Sequence, residues 1–151
     1  KTSNNAMTTA LFPGSFDPFT TGHADIVRRG LQMFDHIVIA VGVNVGKVPF
    51  QSLDERLARL RDIYKDEKRV SVMSYEGLTI DAAHAAGATV ILRSLRSATD
   101  MEYERPIAQA NLDMAGIETV FLFATPALAH VSSSLVRELA HYGRDVSRYL
   151  P

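Results

Sequence analysis

Five short apolar runs, each followed by a segment with helical spacing, constrain the fold more than any other feature of this 151-residue chain. The second run, Ile37–Val41, is apolar throughout, as is typical of a strand buried on both faces of a parallel sheet. Strands that alternate with helices form such a sheet, because each helix returns the chain to the start of the next strand. We therefore predict an α/β fold, a Rossmann-like single domain whose five-stranded parallel sheet has helices on both faces. The predicted strands are residues 8–12, 37–41, 69–74, 89–92 and 120–123.

Capping residues and helical spacing predict where the helices lie. The first helix is expected over Gly22–Phe34. Ser52, with Glu55 three residues later, forms a capping box that opens a helix through Tyr64. We expect the charged residues of that helix to form a solvated face.

A proline complicates the helix predicted over Met101–Ala115. Pro106 would remove a hydrogen bond and clash with the preceding turn inside a helix, whereas the first turn tolerates proline. We therefore expect the regular helix to begin near Glu104.

Composition excludes several classes of protein. The net charge of −1 gives no basic bias that would point to nucleic acid, and the absence of cysteine excludes disulfides and thiolate metal sites. Because no apolar stretch is long enough to cross a bilayer, we expect no membrane partner and a cytoplasmic location. We interpret residues 1–6 as an expression-tag remnant in front of Met7.

The segment Gly14–His23 is the strongest candidate for chemistry. It joins the first predicted strand to the first predicted helix. We expect Gly14 and Gly22 to let the backbone approach a ligand or adopt positive φ, and a helix N-terminus there offers amide groups to an anion. His23 would place an imidazole at the same end. The alternative is an ordinary turn with common punctuation residues.

Cationic residues follow two other predicted strands. Lys47 lies in the loop after Ile37–Val41, where parallel sheets bind ligands, although a solvated lysine is the simpler interpretation. Arg93 and Arg96 follow the fourth strand and could clamp a phosphate. The alternative for both arginines is a salt bridge to Asp100 or Glu102.

Three successive serines open the last predicted helix. Ser132, Ser133 and Ser134 offer hydroxyl groups and backbone amides to a polyphosphate. Simple N-capping would need one serine.

Four separated blocks carry a family resemblance. They are the opening PGSFDPFTTGH at Pro13–His23, Lys47 ahead of Pro49, Arg93–Arg96 with Glu102–Glu104, and Val131–Ser134 followed by Arg137. In this order they resemble the bacterial phosphopantetheine adenylyltransferases of the T/HxGH nucleotidyltransferase superfamily. The resemblance covers residues 7–151, which would form the nucleotidyltransferase domain, and members usually continue with one more helix.

The resemblance implies transfer of an adenylyl group from ATP to 4′-phosphopantetheine, giving dephospho-coenzyme A and pyrophosphate, by direct in-line attack without a covalent intermediate. His23 would stabilise the transition state, Lys47 and Arg93 would hold the attacking phosphate, and Thr79 would line the pantetheine arm. Implied substrate contacts are Ser15, Lys47, Thr79 and Arg93. Implied ATP contacts are Ser15, Phe16, His23, Ser94, Leu95, Arg96, Glu104, Leu128, Ala129, His130, Val131, Ser132, Ser133 and Ser134.

The resemblance also implies Mg²⁺ bound with ATP, without metal ligands from protein side chains, a homohexamer, and coenzyme A as a feedback inhibitor. Ser94 stands where relatives usually have glycine, and we expect activity to survive because both flanking arginines remain. Two other functions stay open. One is adenylyl transfer to another acceptor, such as nicotinate mononucleotide, and the other is a non-catalytic nucleotide-binding domain.

Overall fold

One parallel sheet organises the protein. The computed structural model describes residues 7–151, so the expected tag remnant lies outside the described residues. The strands are β1 (Thr9–Gly14), β2 (His36–Gly42), β3 (Val70–Tyr75), β4 (Val90–Leu95) and β5 (Glu118–Phe123). They pair in parallel in the order β3-β2-β1-β4-β5. The predicted fold class is confirmed.

The helices alternate with these strands. They are α1 (Thr21–Gly30), α2 (Leu53–Ile63), α3 (Thr79–Ala85), α4 (Ala98–Ala115) and α5 (Ser133–His141), with 3₁₀ turns at Pro126–Leu128 and Ser147–Tyr149. Within residues 7–151, none of the helices combines the length and apolar character needed to cross a membrane.

Apolar side chains pack on both faces of the sheet. On one face Phe12 and Ile39 pack in the core formed with α1 and α2. On the other face Leu11 and Val38 pack in the core that α3 covers. Successive strand residues point to opposite faces, which is why the central strands must be apolar at every position.

Helix α1 ends earlier than its spacing predicts and lies close to the sheet. It stops at Gly30, four residues before Phe34, whose amide still bonds the Gly30 carbonyl at 2.8 Å as the chain turns toward β2. A β-carbon on Gly30 would lie 2.8 Å from Cδ1 of Ile37 and 2.9 Å from Cδ2 of Leu92. The glycine therefore sets how closely α1 approaches the core.

The expected start of α4 near Glu104 is wrong. The helix begins at Ala98, where the Ser97 hydroxyl caps it by accepting from the Asp100 amide, and Pro106 lies well inside it. Proline there leaves the Glu102 carbonyl without its helical donor. The Ser97 cap is a local signal for the earlier start, because serine favours the N-cap position.

The strand order creates a crevice between β1 and β4. The chain moves outward from β1 to β3 and then returns to place β4 on the other side of β1. Connections from the carboxyl ends of β1 and β4 therefore lead away to opposite faces, and ligands of such sheets bind at this point.

Candidate active site

A larger and a smaller cavity open side by side at this crevice in the described part of the chain. Their volumes are about 300 Å³ and 150 Å³. Both are lined by Pro13 and Gly14 of β1, by Arg93 of β4 and by Glu104 of α4. The two cavities are therefore neighbours that share one wall.

Most of the predicted site residues line the larger cavity. The sheet edge and the loops around it bring together groups that are far apart in the sequence. These residues are Ser15, Phe16, His23, Arg93, Ser94, Arg96, Glu104, Leu128, Val131, Ser132, Ser133 and Ser134.

The β1–α1 loop, residues 15–20, contributes Ser15 and Phe16 to the lining of the larger cavity, and side chains from α2 and α5 hold the loop. Three of its carbonyl oxygens accept hydrogen bonds of 2.8 Å from side chains elsewhere in the chain. The pairs are Arg56 to Ser15, Arg137 to Asp17, and Ser133 to Pro18. The loop shape is thus fixed before any ligand arrives.

Gly14 does not adopt positive φ, one of the two roles expected of it, and its close approach to a ligand stays a prediction. The residue in the left-handed region is Phe16, with φ of 47°, and its ring folds back over Gly14. A β-carbon at Gly14 would lie 3.0 Å from that ring. The glycine therefore admits an aromatic side chain of its own loop.

His23 is both a helix cap and a group facing the larger cavity. Its Nδ1 accepts a 2.9 Å hydrogen bond from the Thr20 amide, completing a capping box at the start of α1. A backbone amide only donates, so Nδ1 carries the lone pair and the neutral ring holds its proton on Nε2. The cap thereby selects the tautomer that can donate a hydrogen bond from Nε2.

Aromatic rings enclose this imidazole. It stacks on Phe19 at 5.3 Å between centroids and meets the edge of Phe16 at 5.0 Å. Burial, followed by the positive charges of Arg93 and Arg96, lowers the pKa of His23 from 6.5 to about 4. At neutral pH the free site therefore holds a neutral hydrogen-bond donor.

The two arginines after β4 are each paired with a carboxylate. Arg96 bonds Asp100 at 3.2 Å, as the salt-bridge alternative held. Arg93 pairs instead with Glu104, its Nε lying 3.0 Å and 3.1 Å from the two carboxylate oxygens, and donates to the Pro13 carbonyl at 2.7 Å. Glu104 is buried, so this pair fixes the wall that the two cavities share.

Each serine of the predicted polyphosphate motif has a separate structural task. Ser132 caps α5 by accepting from the Leu135 amide at 3.1 Å, Ser133 holds the β1–α1 loop, and the Ser134 hydroxyl accepts from Arg137 at 3.2 Å. What this turn presents to an anion is the positive N-terminal end of α5, beside the Arg137 guanidinium.

The smaller cavity contains polar groups in an apolar lining. Thr79 lies there as predicted, and its hydroxyl is 3.3 Å from that of Tyr75. Asn111 and Thr119 add an amide and a hydroxyl, and the Thr119 hydroxyl is buried with no hydrogen-bond partner among residues 7–151. Such a lining suits a ligand that has both apolar and hydrogen-bonding groups.

Four predicted site residues are not among those that line either cavity. Lys47 is exposed in the β2–α2 loop, residues 43–52, and Leu95 is buried in the core. Ala129 and His130 lie in the β5–α5 connection, where the His130 ring is 6.1 Å from that of Tyr149. Nothing in the structure tests their roles, which stay predictions.

Sequence reasoning missed two residues that shape the site. Asp17 is buried, and its carboxylate accepts from the amides of Phe50 and Gln51. Arg56 is buried too, so the expectation that all charges of α2 are solvated is wrong. The signal available for Arg56 was its position beside Leu57 on a helix with apolar spacing.

Comparisons with known proteins place this geometry in a family. Residues 11–139 match the Cytidylyltransferase-like family. A protein of Bacteroides thetaiotaomicron called phosphopantetheine adenylyltransferase is 46% identical over 96% of this chain and 96% of its own length. The protein of that name from Flavobacterium johnsoniae is 48% identical, with 96% and 95% covered.

Solved structures share the fold at low identity. A bifunctional NMN adenylyltransferase/ADP ribose pyrophosphatase from Francisella tularensis superposes with a TM-score of 0.71 at 14% identity, covering 96% of this chain and 45% of that one. A lipopolysaccharide core biosynthesis protein from Thermoplasma volcanium gives a TM-score of 0.57 at 19% identity, covering 80% and 98%.

Proposed function

The chain belongs to the phosphopantetheine adenylyltransferase family, and from that premise we propose how its site transfers the adenylyl group of ATP to 4′-phosphopantetheine, giving dephospho-coenzyme A and pyrophosphate. The observation that carries the proposal is the convergence of His23, Arg93 and Arg96 on one cavity at the β1/β4 crevice. The two guanidinium charges and the imidazole donor would attract a polyphosphate to this cavity.

ATP is assigned to the larger cavity because its lining is cationic. Arg96 and Arg137 line it together with the N-terminal turns of α1 and α5. Guanidinium groups and helix N-termini both bind phosphate oxygens. The predicted contacts through Leu128–Ser134 would then lie along the nucleotide.

The acceptor is assigned to the smaller cavity because its lining fits an amide-containing arm. Thr79 and Asn111 offer hydrogen bonds along the cavity. Arg93 stands in the wall shared with the larger cavity, so a phosphate at this end of the arm would face ATP. Lys47 would reach that phosphate from the β2–α2 loop.

The reaction needs positioning more than acid–base chemistry. An oxygen of the acceptor phosphate monoester, already anionic, attacks the α-phosphorus of ATP in line. The bond from that phosphorus to the bridging oxygen breaks, and pyrophosphate leaves with the electron pair. The Nε2–H of His23 donates to a non-bridging oxygen as charge develops there, and Arg93 orients the attacking phosphate.

The proposed cofactor is Mg²⁺ carried by ATP. Asp100 and Glu104, the carboxylates that line the larger cavity, are paired with arginines. Phosphate oxygens and water would therefore hold the ion, which offsets charge on the triphosphate.

The proposal includes assembly, regulation and location. Apolar side chains are exposed along α4 and β5, as expected of a surface that another copy covers. They are Met101, Tyr103, Ile107, Leu112, Met114 and Phe123. We assign this surface to a homohexamer, and coenzyme A, which shares the pantetheine arm, to feedback binding in the smaller cavity. The enzyme would act in the cytoplasm, where ATP is supplied.

One experiment separates the functions left open. Wild type and His23→Gln are incubated with ATP, Mg²⁺ and either 4′-phosphopantetheine or nicotinate mononucleotide, and pyrophosphate and adenylylated product are measured. With 4′-phosphopantetheine, dephospho-coenzyme A is expected from the wild type and, about 100-fold more slowly, from His23→Gln. Product only with nicotinate mononucleotide, or ATP binding without pyrophosphate release, would refute the proposal.

A further inference from the structure

Asp17 and Arg56 connect two loops that carry different parts of the proposed chemistry. The carboxylate of Asp17 accepts from the amides of Phe50 and Gln51, both at 2.8 Å. Arg56 donates to the Gln51 carbonyl at 3.1 Å and to the Ser15 carbonyl at 2.8 Å. The Gln51 peptide is therefore held from both sides.

Both side chains are buried, at 8% exposure for Asp17 and 6% for Arg56, and no ion pair links either to an opposite charge among residues 7–151. Burying a charge that bonds only backbone groups is costly unless those bonds form well. Three of the four bonds hold the end of the β2–α2 loop against the β1–α1 loop or α2, and the fourth joins α2 to the β1–α1 loop. The two buried side chains therefore fix the position of the β2–α2 loop relative to the β1–α1 loop.

Among residues 7–151, few other hydrogen bonds hold the β2–α2 loop near Phe50. Its first residue is fixed by the Val43 amide, which bonds the Tyr75 carbonyl at 2.9 Å. Residues 44–50 are exposed, and Lys47 lies three residues before the Phe50 anchor. Three extended residues span at most about 11 Å, so the anchor limits where the Lys47 backbone can lie.

We propose that Asp17 and Arg56 are positioning residues that hold the β2–α2 loop, which carries Lys47, against the β1–α1 loop, which leads to His23, so that the phosphates of the two substrates meet. The proposal rests on the proposed function, since it acts through Lys47. In this proposal Asp17 does not contact either substrate. It affects acceptor binding, because its carboxylate bonds only to the β2–α2 loop, which carries Lys47.

The test begins with Asp17→Asn, which can accept one amide but points an NH₂ group at the other. Asp54→Asn is the matched control, the same change at an exposed position of α2. Asp17→Asn is expected to raise the KM for 4′-phosphopantetheine about 10-fold and to change the KM for ATP less than about 2-fold. Equal changes in both constants would overturn the proposal.

A double-mutant cycle shows whether the effect runs through Lys47. In a Lys47→Ala background, Asp17→Asn should change the acceptor KM less than about 2-fold, because the group being positioned is gone. A further 10-fold rise would mean that Asp17 acts by another route and would contradict the proposal.

Trypsin cleavage after Lys47 reports on the loop without any reliance on activity. Val48, on the far side of that bond, is 97% exposed. The second variant is Arg56→Lys, which keeps the positive charge but loses the planar guanidinium group. In Asp17→Asn and in Arg56→Lys, cleavage after Lys47 should be about 5-fold faster, while cleavage after Lys65 should be unchanged. Arg61→Lys is the control for the second variant. Equal acceleration of cleavage at both sites, or no acceleration at either, would refute the proposal. If the proposed function itself is wrong, the wild type will make no dephospho-coenzyme A.

Discussion

Acid should destabilise the folded chain through His23, and the size of the effect follows from its surroundings. Burial and two arginines lower the pKa of His23 from 6.5 to about 4. Between these pH values the unfolded chain binds a proton that the folded chain does not, so stability present above pH 6.5 is lost as the pH falls toward 4. The full difference corresponds to about 3 kcal/mol, most of which is lost by pH 4.5.

The assay compares urea unfolding of wild type and His23→Gln between pH 4.5 and 7.5. Glutamine at this helix position can still accept from the Thr20 amide, as in a capping box, but does not titrate. Contributions that are common to the two proteins cancel in the difference between them. The difference in unfolding free energy between the two proteins should therefore fall by about 2 to 3 kcal/mol as the pH is lowered from 7.5 to 4.5.

Two results would refute this reasoning. One is a difference between wild type and variant that stays constant over the pH range, and the other is a nuclear magnetic resonance titration of the His23 ring centred near its ordinary pKa of 6.5. The kinetics give a further check. The ratio of kcat/KM for ATP between the two proteins should be flat from pH 6 to 8, because kcat/KM reports the free enzyme.

Three further changes probe other parts of the site and fold. Lys47→Ala should raise the acceptor KM at least about 10-fold with little change in the KM for ATP, and a selective loss of ATP affinity in initial-rate measurements would contradict its assignment. Glu104→Gln should destabilise the protein by about 2 kcal/mol in urea, less than for a fully buried pair because Arg93 is partly exposed, and should raise the acceptor KM. Gly30→Ala should cost about 1 kcal/mol by the same unfolding assay, net of the better helix propensity of alanine, because the added carbon meets two core side chains; an unchanged or higher stability would show that the core yields freely.

The fold was predictable because its strands are marked by local patterns. An entirely apolar run such as Ile37–Val41 has few places to lie other than the middle of a parallel sheet. Helix α4 was harder, since the serine that caps it and the proline inside it point to different starting residues. Local preferences conflict there, and the tertiary packing of the helix decides.

The sequence predicted which residues form the site, but it did not predict which of them pair with each other. The motif residues identified His23, Arg93 and Arg96, yet the partner of Arg93 is Glu104 rather than one of the two carboxylates considered. Pairing depends on which turn of α4 faces β4, and the sequence does not contain that orientation. Asp17 and Arg56 were missed for the same reason, because their partners are backbone groups of distant segments.

The shared wall formed by Arg93 and Glu104 has a thermodynamic consequence. A ligand in either compartment touches the same two side chains, so each occupant senses the other through them. By linkage, the factor by which ATP alters the affinity for the acceptor must equal the factor by which the acceptor alters the affinity for ATP. Binding of the two substrates is thus coupled through a single pair of side chains, and each substrate changes the affinity for the other by the same factor.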